Sequence, residues 1–498
     1  MEQRTDPTQS GVAVSQGLHG VREAARRDKG LRFTALLHHV NERLLLDSFY
    51  LLKKEAAPGV DRMTWEEYEQ DVEGRIRDLY GRVHRGAYRA QPSRRVYIPK
   101  PDGRQRPLGI AALEDKIVQQ AVATVLHQIY EEDFLGFSYG FRPGRGAHDA
   151  LDALTAAIMT KKVSWILDAD IRGFFDNISH DKLIELLEVR IADRRIIRLI
   201  QKWLKAGVSE DGQWSETKIG TPQGAVISPL LANLYLHYVL DQWVAEWRRK
   251  NAFGDVIIAR YADDFVLGFQ HRKEAERFLA QLRKRLADHG LELHPDKTRL
   301  IQFGRFAAED RKRAGKGKPE TFDFLGFTHL CGTIHKSGKF TVHRKTVGKR
   351  MTAKLRSIRV ELRRRMHRPI AETGDWLKQV VRGYFHYHAV PGNLSRLQTF
   401  PAGNRAALAI HAAAARSAQP VDVGAVRDSR RPVPAPTQSS APLPSGAVSR
   451  HASEIGAVCV SSARTDLCGG CRVTGIPTAT STGRSSSLRV ARKSFRGG

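Results

Sequence analysis

Two groups of aspartates in this sequence have the types and spacing to do chemistry together. Tyr261-Ala262-Asp263-Asp264 places two adjacent carboxylates at a turn between apolar stretches at 256–259 and 265–267. Asp168-Ala169-Asp170 places two more on one side of an apolar run, the side that also holds Ile166. Two anions held side by side repel unless a cation shares them. Hard divalent cations take oxygen ligands, and Mg²⁺ binds through one or two carboxylates plus substrate phosphates. Two such ions roughly 3.5–4 Å apart stabilise both the attacking and the leaving oxygen of a phosphoryl transfer. A pair of aspartates is also what a solvated hairpin tip contains, because Asp favours turns. The rest of the chain decides between these readings.

The elements that must position these residues alternate between helix and strand. Residues 113–130 predict a helix with Ile117, Ala121, Val125 and Ile129 on one face. Residues 163–171 predict a strand, with Trp165, Leu167, Ala169 and Ile171 on the side opposite the aspartates. Ser228-Pro229 is a helix start that carries to about Arg249. Residues 255–269 predict two strands around a tight turn at Ala262-Asp263-Asp264. Residues 271–289 predict a helix with a Phe278, Leu282, Leu286 stripe, ended by Gly290. Further strands are expected near 291–293 and at 324–327. The pattern is that of an α+β fold with a sheet covered by helices.

Residues 347–390 differ. Val347, Met351, Leu355, Ile358, Leu362 and Met366 form one apolar helix stripe beside Lys349, Arg350, Lys354, Arg356, Arg359, Arg363, Arg364 and Arg365. A second helix follows, with Trp376, Leu377, Val380, Val381 and Tyr384. The 498-residue chain holds 81 Lys plus Arg against 53 Asp plus Glu, a formal charge of +28. That balance points to a polyanionic partner. No run reaches the ~18 apolar residues of a spanning helix, and the N-terminus lacks a signal-peptide apolar core. Four cysteines suit a reducing compartment, so a cytoplasmic protein without a membrane partner is expected. Residues 401–498 contain no Trp, no Tyr and one Phe, with 13 basic and 4 acidic residues. Such a segment buries little apolar surface and is expected to be disordered, as is a flexible N-terminus over 1–32. The lone Cys468-Gly469-Gly470-Cys471 pair, with Cys459 nearby, lacks the second pair a zinc site needs.

The motifs, taken in order, resemble the reverse transcriptase/maturase encoded by bacterial group II introns. Ala57-Pro58-Gly59-Val60-Asp61 resembles the first motif. Ile98-Pro99-Lys100-Pro101-Asp102-Gly103 through Arg106-Pro107-Leu108-Gly109-Ile110 resembles the second. Ser138-Tyr139-Gly140-Phe141-Arg142-Pro143 resembles an insertion typical of the family. Asp170 with Phe175 resembles the third motif, and Gly220-Thr221-Pro222-Gln223-Gly224 with Ser228-Pro229-Leu230 the fourth. Tyr261-Ala262-Asp263-Asp264 resembles the fifth. His294-Pro295-Asp296-Lys297-Thr298 resembles the sixth and Phe324-Leu325-Gly326-Phe327 the seventh.

The resemblance implies a right-hand polymerase. Its fingers and palm would span 33–335, with the thumb and the start of a maturase domain over 336–400. Asp170, Asp263 and Asp264 would bind two catalytic Mg²⁺. Phe175 would sit under the incoming sugar and exclude a 2′-hydroxyl by bulk. Lys100 and Arg106 would hold the triphosphate. Gln223 would contact the nucleotide, Gly224 would allow close backbone approach, and Lys297 would approach the site. Asp168 could reach the metals from the same face, but the D-x4-F spacing to Phe175 selects Asp170; the other reading of Asp168 is a strand-end carboxylate paired to a basic neighbour. The implied partners are group II intron RNA, an RNA template with a DNA primer, and dNTPs, with target DNA as a further option.

The resemblance stops after Leu397-Gln398-Thr399-Phe400. The abrupt change of composition suggests the hypothesis of a reading-frame shift near codon 400, to be tested by translating the other two frames. Splicing and target-DNA functions depend on that missing region in the family. The readings that compete with an RNA-directed DNA polymerase are a non-enzymatic RNA-binding splicing cofactor, a reverse transcriptase of retron, diversity-generating or CRISPR-linked lineage, and a decayed intron copy.

Overall fold

The run from Trp165 to Asp170 forms a strand with an antiparallel neighbour on each side. The structure is a computed structural model that describes residues 16–99, 105–210, 212–217, 219–221, 224–334 and 336–400. In chain order its strands are β1 (Ser93–Pro99), β2 (Gln105–Ile110), β3 (Trp165–Asp170), β4 (Val208–Glu210), β5 (Gln213–Ser215) and β6 (Val256–Tyr261). They continue with β7 (Asp264–Phe269), β8 (Arg299–Gln302), β9 (Phe322–Phe324), β10 (Phe327–Thr333) and β11 (Phe340–Thr346). Three sheets result, of order β2-β1-β4-β5, β6-β7-β3-β8 and β11-β10-β9. Among the described strands only β1 and β4 pair in parallel. Mixed helices with largely antiparallel sheets are the α+β class that the sequence predicts.

The β6-β7-β3-β8 sheet carries the aspartates. Ile166, Leu167 and Ala169 of β3 and Phe265, Val266, Leu267 and Phe269 of β7 are buried, so polar side chains collect at one end of the strands. The helix Arg272–Ala287 packs against β3 and β7, with Phe278, Leu282 and Leu286 fully buried. The helix Leu113–Asp133 is buried on more than the single face its stripe implies, because Val118, Val122 and Leu126 are covered as well. One element covering it is the helix Gln16–Arg27.

That helix corrects the expectation of a flexible N-terminus over residues 16–27. Leu18, Val21 and Ala25 are spaced for one helix face and buried, while Arg22 and Arg26 reach Glu132 at 2.7 and 3.2 Å. Residues 1–15 lie outside the described residues. The helix begun at Ser228-Pro229 follows its expected path but is interrupted. Ser228–Leu236 passes through a π-helical turn, His237–Asp241, into Gln242–Lys250. Single π-turns gather at functional sites.

Two expected strands are also corrected. Residues 291–293 make only one bridge, Leu293 to Ile171, and the sheet's outer strand is β8. Residues 324–327 are not one strand: Phe324 ends β9, Phe327 begins β10, and Leu325-Gly326 is the turn between them. Leu325 and Gly326 have φ of 47° and 85°, and β9 reverses there into β10.

The chain divides into two units, one of Met1–Glu361 with Pro391–Phe400 and the other containing Leu362–Val390. The division therefore falls later than the expected boundary at 335, which the β10-β11 hairpin bridges. The basic helix Gly348–Arg364 buries Ile358 and Leu362 and exposes Lys349, Arg350, Lys354, Arg356, Arg359 and Arg363. Among the described residues no helix is long and apolar enough to cross a membrane. The low-complexity segment 401–498, with Cys468 and Cys471, lies outside the described residues.

Candidate active site

Register brings the acidic motifs together. In the β3-β7 ladder Asp170 is the direct partner of Asp264, and Tyr261 of β6 faces Asp264 from the other side. Directly opposed residues stand ~4.5–5.5 Å apart at their Cβ atoms. Ala262 and Asp263 form the two-residue turn between β6 and β7, with Ala262 at φ 56°. An L-residue in that region costs on the order of 1–2 kcal/mol, so the turn must be held from outside.

The cluster carries more negative charge than its neighbours balance. Asp264 is half-buried, and its carboxyl is pushed up to about 7, first by burial and then by Asp168, Asp263 and Asp170. The Arg350 cation opposes that shift. Asp263 is also raised, by burial and then Asp170, against the opposing charges of Arg106 and Arg260. Asp168 is raised by burial, although Arg299 pulls it back. Two ion pairs close the rim: Lys297 Nζ to Asp170 Oδ2 at 2.6 Å and Arg299 Nη2 to Asp168 Oδ2 at 3.2 Å.

This donor set fits a hard divalent cation. It offers carboxylate oxygen alone, and burial, reinforced by neighbouring carboxylates, makes Asp263 and Asp264 hold their protons unusually tightly. Among the described residues no three His, Cys, Asp or Glu side chains already form a metal cage. Mg²⁺ needs none, since it keeps several waters and shares its ligands with substrate phosphates.

Other expected site residues gather around the same end of the sheet. Lys297 is held there by backbone bonds: His294 N donates to Asp170 O at 2.7 Å and Thr298 N to His294 O at 3.0 Å. Arg106 is exposed on β2, close enough to stabilise the Asp263 carboxylate. Phe175 is half-buried, edge-on to Phe174 with ring centroids 5.4 Å apart. Thr221 N donates to Phe175 O at 2.8 Å, and a Cβ on Gly220 would stand 2.9 Å from the Phe175 and Asp176 carbonyl oxygens. A Cβ on Gly224 would stand 2.9 Å from Gly109 O. The two ends of the fourth motif are thus clamped between the second and third. Lys100 and Gln223 themselves lie outside the described residues.

Sequence reasoning assigned no site role to several basic residues. Arg299 is the neighbour that Asp168 was expected to find, and Arg350 comes from the stripe of basic residues in Gly348–Arg364. Arg260 is fully buried beside the turn. Its signal was available: a cation inside an otherwise apolar strand, with Asp241 inside an otherwise apolar helix.

A family model described as reverse transcriptase (RNA-dependent DNA polymerase) matches residues 98–329. The group II intron-encoded protein LtrA of Lactococcus lactis subsp. cremoris is 43% identical over 179 residues, which is 36% of this chain and 29% of that protein. Protein YkfC of Escherichia coli (strain K12) is 32% identical over 317 residues, 55% of this chain and 81% of that protein. An uncharacterized 91 kDa protein in the cob intron of Schizosaccharomyces pombe is 45% identical over 153 residues, 31% of this chain and 19% of that one. The chain therefore spans under a third of LtrA and most of YkfC.

Proposed function

The chain belongs to the reverse transcriptase family, in its group II intron-encoded branch, and on that premise we propose that it is an RNA-directed DNA polymerase that also binds its intron RNA. The substrates would be a primer 3′-hydroxyl, an RNA template and dNTPs. One observation carries the reading: Asp170 and Asp264 are opposed across β3 and β7, with Asp263 at the adjoining turn, in a cluster short of positive charge. Domains of this family use divalent metal ions.

We assign Asp170, Asp263 and Asp264 to the holding of two Mg²⁺. Bound there, the ions would stabilise the attacking and leaving oxygens of nucleotidyl transfer. Lys297 and Arg106 stand at the rim as cations able to hold phosphate oxygens, the first as a point charge and the second as a planar fork. Phe175, backed by Phe174, has the bulk to bound the sugar side. Lys100 and Gln223 are assigned to the nucleotide from motif position. Sheet β2-β1-β4-β5 would serve in the fingers, sheet β6-β7-β3-β8 as the palm, and the basic helix Gly348–Arg364 in the thumb. The second helix, Ile370–His388, would begin the maturase segment. Their exposed arginines and lysines suit phosphate contacts, which position a nucleic acid without reading its sequence.

Primer extension on an RNA template, with dNTPs and Mg²⁺, tests this directly. The native chain should extend, and Asp264→Asn should lose roughly a thousandfold in rate, a loss of several kcal/mol in transition-state stabilisation. A folded native chain that binds intron RNA and extends nothing would leave the RNA-binding cofactor as the better reading.

A further inference from the structure

The catalytic turn is held by a buried polar knot that none of the acidic motifs contains. Arg260 is the fifth residue of β6, one position before Tyr261, and its side chain is fully buried. Its Nε and Nη2 donate to the two Asp241 carboxylate oxygens at 2.7 and 2.6 Å. Nη2 also donates to Ser138 Oγ at 2.6 Å. Nη1 donates to Asn233 Oδ1 at 3.0 Å and to the backbone oxygen of Ala262 at 2.8 Å. A guanidinium has five N–H donors, and these hydrogen bonds use all of them.

The acceptors come from separate parts of the chain. Asp241 ends the π-turn, Asn233 lies on the helix before it, and Ser138 opens the segment 138–143. Asn233 Nδ2 in turn donates to Gly140 O at 2.6 Å. Backbone bonds zip residues 137–139 onto the same strand residue: Arg260 N to Phe137 O and Tyr139 N to Arg260 O, each 2.9 Å. Gly140 is pressed so close to the turn that a Cβ would collide with Ala262 N and Tyr261 C. Arg142 anchors the far end of the segment, donating to Glu131 Oε2 at 3.0 Å and to Leu135 O at 2.9 Å.

A buried ion pair is a poor way to gain stability, because two apolar side chains of similar volume often serve as well or better. What an apolar pair cannot do is hold the Ala262 carbonyl. We propose that Arg260, braced by Asp241 and Asn233, is a positioning residue that fixes the Ala262-Asp263 turn against residues 138–140 and so sets where Asp263 and Asp264 stand relative to Asp170. This rests on the polymerase reading above. It gives segment 138–143 a role as the backing of the catalytic turn.

The test uses the full chain in three forms: native, the double variant Arg260→Met with Asp241→Leu, and Gly140→Ala. The double variant removes both charges together, so no buried charge is left unpaired. Its melting temperature should fall by some degrees, because the Asn233 and Ala262 oxygens lose their donor, while primer–template affinity should stay near native. Its kcat should fall on the order of 10- to 100-fold with KM for dNTP little changed, as expected for misplacing reacting groups by about an ångström. Mn²⁺ binding to the protein alone, read by electron paramagnetic resonance, should weaken. A double variant that folds and keeps both kcat and Mn²⁺ affinity within about twofold of native overturns the proposal. If the double variant does not fold, Gly140→Ala decides by the same two readouts. If the native chain extends no primer, the polymerase reading fails, while the Mn²⁺ comparison still tests the brace.

Discussion

Asp264 concentrates the electrostatics of the site, and its titration is measurable. Its carboxyl is pushed up to about 7, by burial first and by Asp168, Asp263 and Asp170 next. In an unfolded chain an aspartate titrates near ~4. Between those values the folded chain holds a proton that the unfolded chain has released. Without metal, stability should therefore fall as pH rises from about 4 to about 7, then level off. Melts in chelator should show that slope, and Asp264→Asn should flatten part of it; an unchanged slope would deny the charge surplus. A divalent ion must displace the proton, so it should raise the melting temperature more at pH 8 than at pH 5.5. Asp168 separates from the others on the same electrostatic grounds. It is paired with Arg299, so Asp168→Asn should keep extension within about threefold, since an exposed ion partner is worth ~1 kcal/mol or less. Asp170→Asn should lose activity as Asp264→Asn does. That Asp170, Asp263 and Asp264 would meet was legible in the sequence, because two short acidic groups lie on neighbouring strands and the likeness to the family's third and fifth motifs singles these three out. The partner of Asp168 was not, because Arg299 arrives 131 positions later through the β3-β8 register.

At the scale of elements, the fourth motif behaves as a strap whose ends must lie flat. Gly220 and Gly224 have φ of 86° and 109°, and each backs onto a carbonyl oxygen that a Cβ would meet at 2.9 Å. Gly224→Ala should therefore displace the segment that carries Gln223. If this segment contacts nucleotide as proposed, KM for dNTP should rise roughly tenfold with primer–template affinity unchanged. Steady-state kinetics with varied dNTP would check it, and an unchanged KM would detach this segment from the nucleotide. Long amphipathic or strongly apolar elements were readable: the helix Arg272–Ala287 and the strands β3, β6 and β7 lie where their patterns put them. Short or irregular ones were not. β8 spans four residues and gains its pairing only from β3, and the Leu325-Gly326 reversal depends on backbone conformation that apolar patterning conceals. The helix Gln16–Arg27 was hidden by composition. Its three buried apolar side chains stabilise it only because Leu113–Asp133 lies beneath them.

The whole molecule carries a formal charge of +28, and its consequence is salt dependence. Basic residues that contact phosphates release condensed counterions, so log affinity falls linearly with log salt. Lys354, Arg356 and Arg359 are exposed on Gly348–Arg364, where the apolar stripe turns Ile358 and Leu362 inward. Charge alone would not say which surface meets nucleic acid, because solvated basic faces are common. Replacing these three by Gln decides it for this helix. If all three meet phosphate, the slope of log affinity against log salt for an RNA–DNA duplex should become shallower by about 2–3 units, at ~0.7–0.9 unit for each phosphate no longer neutralised. Affinity should fall alike across unrelated duplex sequences, because phosphate contacts carry no sequence information. A slope that does not move would place the duplex on another face and leave this helix as a solvated surface. Fluorescence anisotropy with labelled duplex, titrated at several salt concentrations, distinguishes the two.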